Sequence, residues 1–253
     1  MSRVQHIART PAFAPRLYSI APGEADYPSL PGVWPLTAPI DGLFTPAGIA
    51  GIPIAAIGDR TLLSRFSIGL VCSVRCPGWV VLATFEFARK TPPGGAAIAG
   101  GFHSPMERTC LDTLLARHVP VIYCPARRLN VRGIPRAWET PLTERRLLIL
   151  SPFVPAQRRV TRDLARERNR FVAAVSGLVF VPSASRGGGT EALVRTCLRF
   201  GREVCTLAGE DNAHVVALGA RGLAQIELLL QAGVTCESPL PESGEGSLVL
   251  SRC

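Results

Sequence analysis

RRVTRDLARERNRFVAAVSGLVFVPSASRGGGTE, residues 158–191, joins an arginine-loaded helical stretch to an apolar strand, GLVFV, and then to a glycine-rich turn that opens another helix. In the order strand, glycine loop, helix start, free backbone N–H groups face whatever anion lies in the turn. Arg158, Arg162, Arg166 and Arg170 are spaced by four, so they share one face if a helix runs continuously over 158–175. Val160, Leu164, Phe171 and Val175 then form its buried side. A polyanion, or at least a phosphorylated ligand, is the natural partner of such a surface.

Outward from this stretch, apolar strands alternate with amphipathic helices. Strands are expected at 66–72, 95–100, 119–124, 146–150, 178–182 and 203–207, with helices at about 79–90, 104–117, 158–175 and 189–200. Short Val-, Ile-, Leu- and Cys-rich strands separated by helices of ten or more residues imply βαβ units. The expected fold is α/β: a Rossmann-like, doubly wound, mostly parallel sheet with helices on both faces, whose ligands sit at the carboxyl ends of the strands. Residues 1–53 hold nine of the 22 prolines and show no sustained periodicity. An irregular Pro-rich extension is therefore expected over 1–60, with Trp34 as its anchor, the main domain over 61–233, and a polar tail over 234–253.

The chain has 253 residues, 47% of them apolar, enough to bury a full core, and a formal charge of +9. Between Arg127 and Arg170 there are twelve arginines against Glu139, Glu144, Asp163 and Glu167, a local excess of 12 − 4 = +8. Nearly all the net charge is thus concentrated in one region, which points to a functional patch. Of 28 basic residues only Lys90 is lysine, so clustering carries more information than arginine identity. No apolar run approaches the ~20 residues of a membrane span, and the N-terminus lacks a signal-peptide stretch. A cytoplasmic location is expected, with the eight scattered cysteines reduced. Cys72 and Cys76 have no second Cys or His pair at zinc-like spacing, so neither metal nor cofactor is expected.

Three strand-to-helix junctions carry chemistry. In the first, Cys72-Ser73-Val74-Arg75-Cys76, Ser73 offers hydrogen bonds and Arg75 can fork onto a phosphate. In the second, Gly100-Gly101-Phe102-His103, paired glycines permit a close backbone approach. Ser104, Pro105 and Glu107 form a capping box there that needs no ligand, and His103 reads as structural. The third, Arg186-Gly187-Gly188-Gly189-Thr190-Glu191, lacks the lysine of a Walker loop but follows a buried strand and a basic helix.

On these pieces the sequence resembles the DNA-processing protein A (DprA/Smf) family, within the wider group of Rossmann-like domains that includes the nucleotide-processing LOG proteins. Cys72-Ser73-Val74-Arg75 is similar to the family's Gly-Ser-Arg turn with one residue inserted, and Gly100-Gly101 stands where the family has Ser-Gly. Arg168-Asn169-Arg170 matches the family's Arg-Asn-Arg letter for letter. Gly187-Gly188-Gly189-Thr190-Glu191 resembles its small-residue loop, and the segment from Tyr27-Pro28 to Asp59 and Leu62-Leu63 its lead-in. The resemblance covers about residues 27–220. His103-Ser104-Pro105-Met106-Glu107 replaces the family's Gly-Ile-Asp and Ala165-Arg166 its Phe-Pro, and the C-terminal winged helix that many members carry is not expected here.

The resemblance implies a non-enzymatic, homodimeric protein that binds single-stranded DNA and helps load a RecA-type recombinase. The implied contacts are Ser73, Arg75, Gly100, Gly101, Arg168, Asn169, Arg170, Gly187, Gly188, Gly189 and Thr190. Aromatic residues for base stacking are few (6%), with Phe102, Phe153 and Phe171 as candidates. Two alternatives stand beside this reading. One is a LOG-like nucleoside monophosphate phosphoribohydrolase using Glu191 and Arg168; the other is a module that senses a nucleotide without turning it over. A basic groove suits a strand, whereas a closed cavity with one carboxylate suits a nucleotide.

Overall fold

The computed structural model of the protein describes residues 18–20, 54–153, 157–227 and 229–230. The strands are β1 (Tyr18–Ile20), β2 (Ile54–Gly58), β3 (Ser67–Leu70), β4 (Ala97–Gly100), β5 (Val121–Tyr123), β6 (Leu147–Ser151), β7 (Leu178–Val181), β8 (Val204–Leu207) and β9 (Arg221–Leu223). They form one sheet in the order β1-β2-β6-β5-β4-β3-β7-β8-β9. From β6 to β9 every pairing is parallel; β2 pairs antiparallel with both β6 and β1. The doubly wound α/β fold expected from the sequence is the fold observed.

The helices are α1 (Gly78–Lys90), α2 (Pro105–Ala116), α3 (Glu139–Thr143), α4 (Arg162–Ala174), α5 (Gly189–Arg199) and α6 (Ala213–Ala217). Alternation along the strands divides the core into two layers. Ile68, Leu70, Ile98 and Phe180 face Val80 and Phe87 of α1 and Leu111 and Leu114 of α2. Ala97, Ala99, Val179 and Val181 face Phe171 and Val172 of α4 and Leu193, Val194 and Cys197 of α5. β3, β4, β6, β7 and β8 are buried along their whole length, which is why they read as continuous apolar runs.

The chain steps outward from β3 through β4 and β5 to β6, then returns to place β7 on the other side of β3. The order therefore reverses between β3 and β7, and a crevice opens at the carboxyl ends of those two strands.

Several expectations need correction. Strands β1 and β2 fall within the region read as an irregular extension, so the sheet begins before residue 61. The basic helix starts at Arg162, not Arg158, because the Thr161 hydroxyl accepts the Leu164 N–H at 3.2 Å and caps it there. Arg158 thus precedes the helix, and Val160 is 59% exposed instead of buried. Short 3-10 turns at Val131–Gly133 and Arg136–Trp138, together with α3, fill the long β5–β6 connection, to which no helix was assigned. Trp34, Cys236, Cys253 and the proposed tail lie outside the described residues.

Candidate nucleic-acid interface

The first and third junctions meet at the crevice. Ser73 N–H donates to the Ser183 carbonyl at 3.0 Å, and Ser185 N–H donates to Ser73 Oγ at 2.9 Å. Ser73 therefore fastens the turn after β3 to the loop after β7. Arg75 stands exposed in that turn.

That loop then turns sharply into α5. Gly187 has φ +66, in the left-handed region glycine adopts without steric cost, and a Cβ there would meet nothing. Helix α5 begins at Gly189 with Gly188 as its N-cap and no side-chain cap, which leaves its first amides to solvent or an anion. Arg166, Asn169, Arg170, Gly187, Gly188, Gly189, Ala192 and Leu193 line a cavity of about 290 Å³ in front of these amides. None of these lining residues is acidic or aromatic. Arg166 pairs with Asp163 at 3.3 Å and Arg170 with Glu167 at 2.9 Å, both partly exposed i,i+3 contacts. Such pairs are weak and salt-screened, so an incoming phosphate can compete for the arginines. Of the residues implied from the sequence, the structure brings Asn169, Arg170, Gly187, Gly188 and Gly189 together here. Thr190 is buried and does not line the cavity.

Arg168, Gly100 and Gly101 belong to a different cluster. Arg168 is 2% exposed. Its Nε donates to Asn169 Oδ1 at 2.7 Å, Nη1 donates to the Cys124 carbonyl at 3.4 Å, and Nη2 lies 3.1 Å from His103 Nδ1. A Cβ on Gly101 would overlap the Arg168 guanidinium. The close approach that the paired glycines permit is therefore made by a side chain of the protein itself. Gly100 is buried against the Phe102 ring. The expected capping box is present, with Glu107 N–H donating to Ser104 Oγ and Ser104 N–H donating to Glu107 Oε2. Glu107 also accepts from the N–H groups of Cys72 and His103, at 3.3 and 3.1 Å. Burial pushes its carboxyl up, but hydrogen bonds from His103 and Ser104 and the charges of His103 and Arg168 outweigh burial and hold it below the ordinary range. Burial likewise lowers the Arg168 guanidinium against the pull of Glu107. This cluster ties α4 to the ends of β3, β4 and β5.

Glu191, weighed above as a catalytic carboxylate, does not line the cavity. It accepts from Gly187 N–H at 2.9 Å and pairs with Arg195 at 2.7 Å, with His214 3.7 Å away. Hydrogen bonds from Arg195 and Gly187 keep its carboxyl below the ordinary range. No contact joins it to Arg168. Of the stacking candidates, Phe102 is 3% and Phe171 0% exposed, so neither ring can meet a base. Among the described residues no group of three or more His, Cys, Asp or Glu could hold a metal ion. The six described cysteines are unbridged, and burial pushes the thiols of Cys110, Cys124 and Cys197 up to about 12. They are packing residues.

Residues 50–227 match the DNA recombination-mediator protein A family. The chain belongs to that family. No curated protein matches the sequence. Among solved structures, DNA processing protein A from Streptococcus pneumoniae has 18% identity and a TM-score of 0.59, over 71% of this chain and 65% of that one. The Helicobacter pylori DNA processing protein A, solved to describe its single-stranded DNA binding mode, has 19% identity and a TM-score of 0.59, over 72% and 87%. A molybdenum cofactor binding protein from Rippkaea orientalis has 10% identity and a TM-score of 0.50, over 69% and 98%. At these identities the likeness is one of fold. This family member spans less than two thirds of the S. pneumoniae protein's length, and no described helix is long and apolar enough to cross a membrane.

Proposed function

We propose that this family member acts without turnover, binding single-stranded DNA through its phosphates during DNA processing and recombination. Family membership supports the DNA-processing role, and the H. pylori relative is described as a single-stranded DNA binder. The observation that carries the proposal is the make-up of the cavity: two arginines, an asparagine and a glycine loop at an uncapped helix start, with no carboxylate among its lining residues. Contacts of this kind hold a backbone and tolerate any sequence. The nucleotide hydrolase loses its support, because Glu191 is occupied by Gly187 and Arg195.

In this proposal Arg170, Asn169 and the Gly189 amide at the start of α5 meet phosphate, with Arg166 added to the set; Gly187 and Gly188, whose amides donate to Glu191 and to the Ser185 carbonyl, shape the loop that presents them. Ser73 and Arg75 shape the neighbouring wall of the crevice, Thr190 begins the helix, and Arg168, Gly100 and Gly101 hold the scaffold. Cytoplasmic residence, a homodimer and hand-over of the strand to a RecA-type recombinase complete the proposal on family resemblance. The test is anisotropy of labelled oligo-dT across a salt series, with wild type and Arg166→Gln/Arg170→Gln. Removing two phosphate contacts makes the log–log salt dependence shallower by about 1.4 and weakens binding about tenfold at low salt. An unchanged slope and affinity would reject the site; no wild-type binding at low salt would reject the function.

A further inference from the structure

A second surface at the carboxyl edge of the sheet is built differently. Tyr123, the last residue of β5, meets Trp138 in an edge geometry with ring centroids 4.8 Å apart, and also stacks against buried Phe102 at 6.4 Å. Tyr123 and Trp138 are both half-buried. The connection that carries Trp138 also holds Arg127, Arg128, Arg132 and Arg136, and no acidic residue occurs anywhere from Cys124 to Trp138.

Arg127, Arg132 and Arg136 are exposed, and among the described residues none of the four guanidiniums has an ion-pair partner. Arg166 and Arg170, by contrast, each have a carboxylate alongside. Four unneutralised like charges within one short connection raise a strong positive potential, which a polyanion relieves. Arginines interleaved with exposed aromatic area are what a single strand uses: charge for its phosphates, rings for its bases. The hollow between Tyr123, Arg128 and Trp138 has a volume of only about 40 Å³, too small to enclose a base, so a base would lie on the rings.

This surface lies within reach of the glycine loop. In the sheet β5 and β7 are separated by β4 and β3. Three interstrand steps of ~4.8 Å put their carboxyl ends roughly 14 Å apart, a span of a few nucleotides.

We infer that a strand held by its phosphates at the glycine loop continues across the carboxyl edge to this groove. There Arg127, Arg132 and Arg136 neutralise further phosphates and a base stacks on Trp138. The inference rests on the single-strand reading above and adds a second contact region to it.

The experiment compares a labelled dT dinucleotide, whose one internucleotide phosphate cannot meet both regions, with labelled oligo-dT of about 16 nucleotides, the upper end of site sizes for single-strand platforms. For the longer oligomer, Arg127→Gln/Arg132→Gln/Arg136→Gln makes the salt dependence shallower by about 2. Trp138→Ala weakens its binding about 5- to 150-fold, the loss of one stacked base. The dinucleotide binds both variants as it binds wild type. Because Trp138→Ala also removes a contact with Tyr123, the triple variant, confined to exposed positions, keeps the test independent of folding. Wild-type affinity and slope of the triple variant for the longer oligomer overturn the inference. If Arg166→Gln/Arg170→Gln still weakens both lengths in that case, the glycine-loop reading stands without the extension. If wild type binds neither length at low salt, that reading falls and the extension with it.

Discussion

Replacing Arg168 with methionine keeps a flexible side chain of helix-compatible shape but removes a charge and its fork of donors. Arg168 is 2% exposed, donates to Asn169 and Cys124, and lies against His103 Nδ1. Its charge is also one of those that keep buried Glu107 ionised. Removing one partner from such a buried pair leaves the other uncompensated and costs about 3–5 kcal/mol. For a domain of this size each kcal/mol moves Tm by about 2–4 °C, so Arg168→Met should lower it by about 6–20 °C. An exposed arginine that only touches a phosphate would change stability by less than about 0.5 kcal/mol. Urea unfolding followed by circular dichroism, alongside oligo-dT binding at a temperature where the variant is folded, separates the two roles. If Arg168→Met unfolds at the wild-type midpoint and slope yet loses DNA binding, Arg168 meets the ligand and the scaffold argument is wrong. Gly101→Ala supplies a second check, since its Cβ would overlap the Arg168 guanidinium. The two substitutions should be strongly non-additive, with a coupling of about 0.5–3 kcal/mol and most of the Gly101→Ala cost gone when Arg168→Met is already in place.

Two further outcomes follow from the hydrogen bonding around the crevice. Ser73→Ala removes the acceptor of the Ser185 N–H, costing about 1 kcal/mol by urea unfolding and loosening the loop before α5; oligo-dT binding should weaken only severalfold. A complete loss of binding would mean that the hydroxyl meets DNA itself. Glu107→Gln gives a pH signature. The folded carboxyl lies below its unfolded value of about 4.3, so its contribution is fully present above that value and is lost as pH falls through the folded one. The Tm difference between wild type and Glu107→Gln should be full near neutral pH and shrink below about pH 4; a difference constant across that range would show that the charge does not stabilise the cluster.

The parallel strands were legible because burial on both faces leaves nothing polar to interrupt runs such as LVFV and AIAG. The glycine loop was legible because Gly187-Gly188-Gly189 has few other uses between a buried strand and a helix. β1 and β2 were not, since three and five residues in a proline-rich context carry no local signal; β2 is placed by pairing with β6, and β1 by pairing with β2. The separate roles within Arg168-Asn169-Arg170 were overlooked although the spacing contained them. Two residues apart on an α-helix means a rotation of roughly 200°, so Arg168 and Arg170 point to nearly opposite sides. Arg166 and Arg170, four apart, share a face and line the cavity, while Arg168 turns toward the sheet and must find partners there. A motif aligned letter by letter assigns three residues one task; helical periodicity divides it between a ligand face and a buried anchor. The anchor's partner, Gly101, lies 67 residues earlier in the sequence. No local pattern could announce that pairing, because glycine there answers to a side chain that arrives only when the sheet and α4 pack.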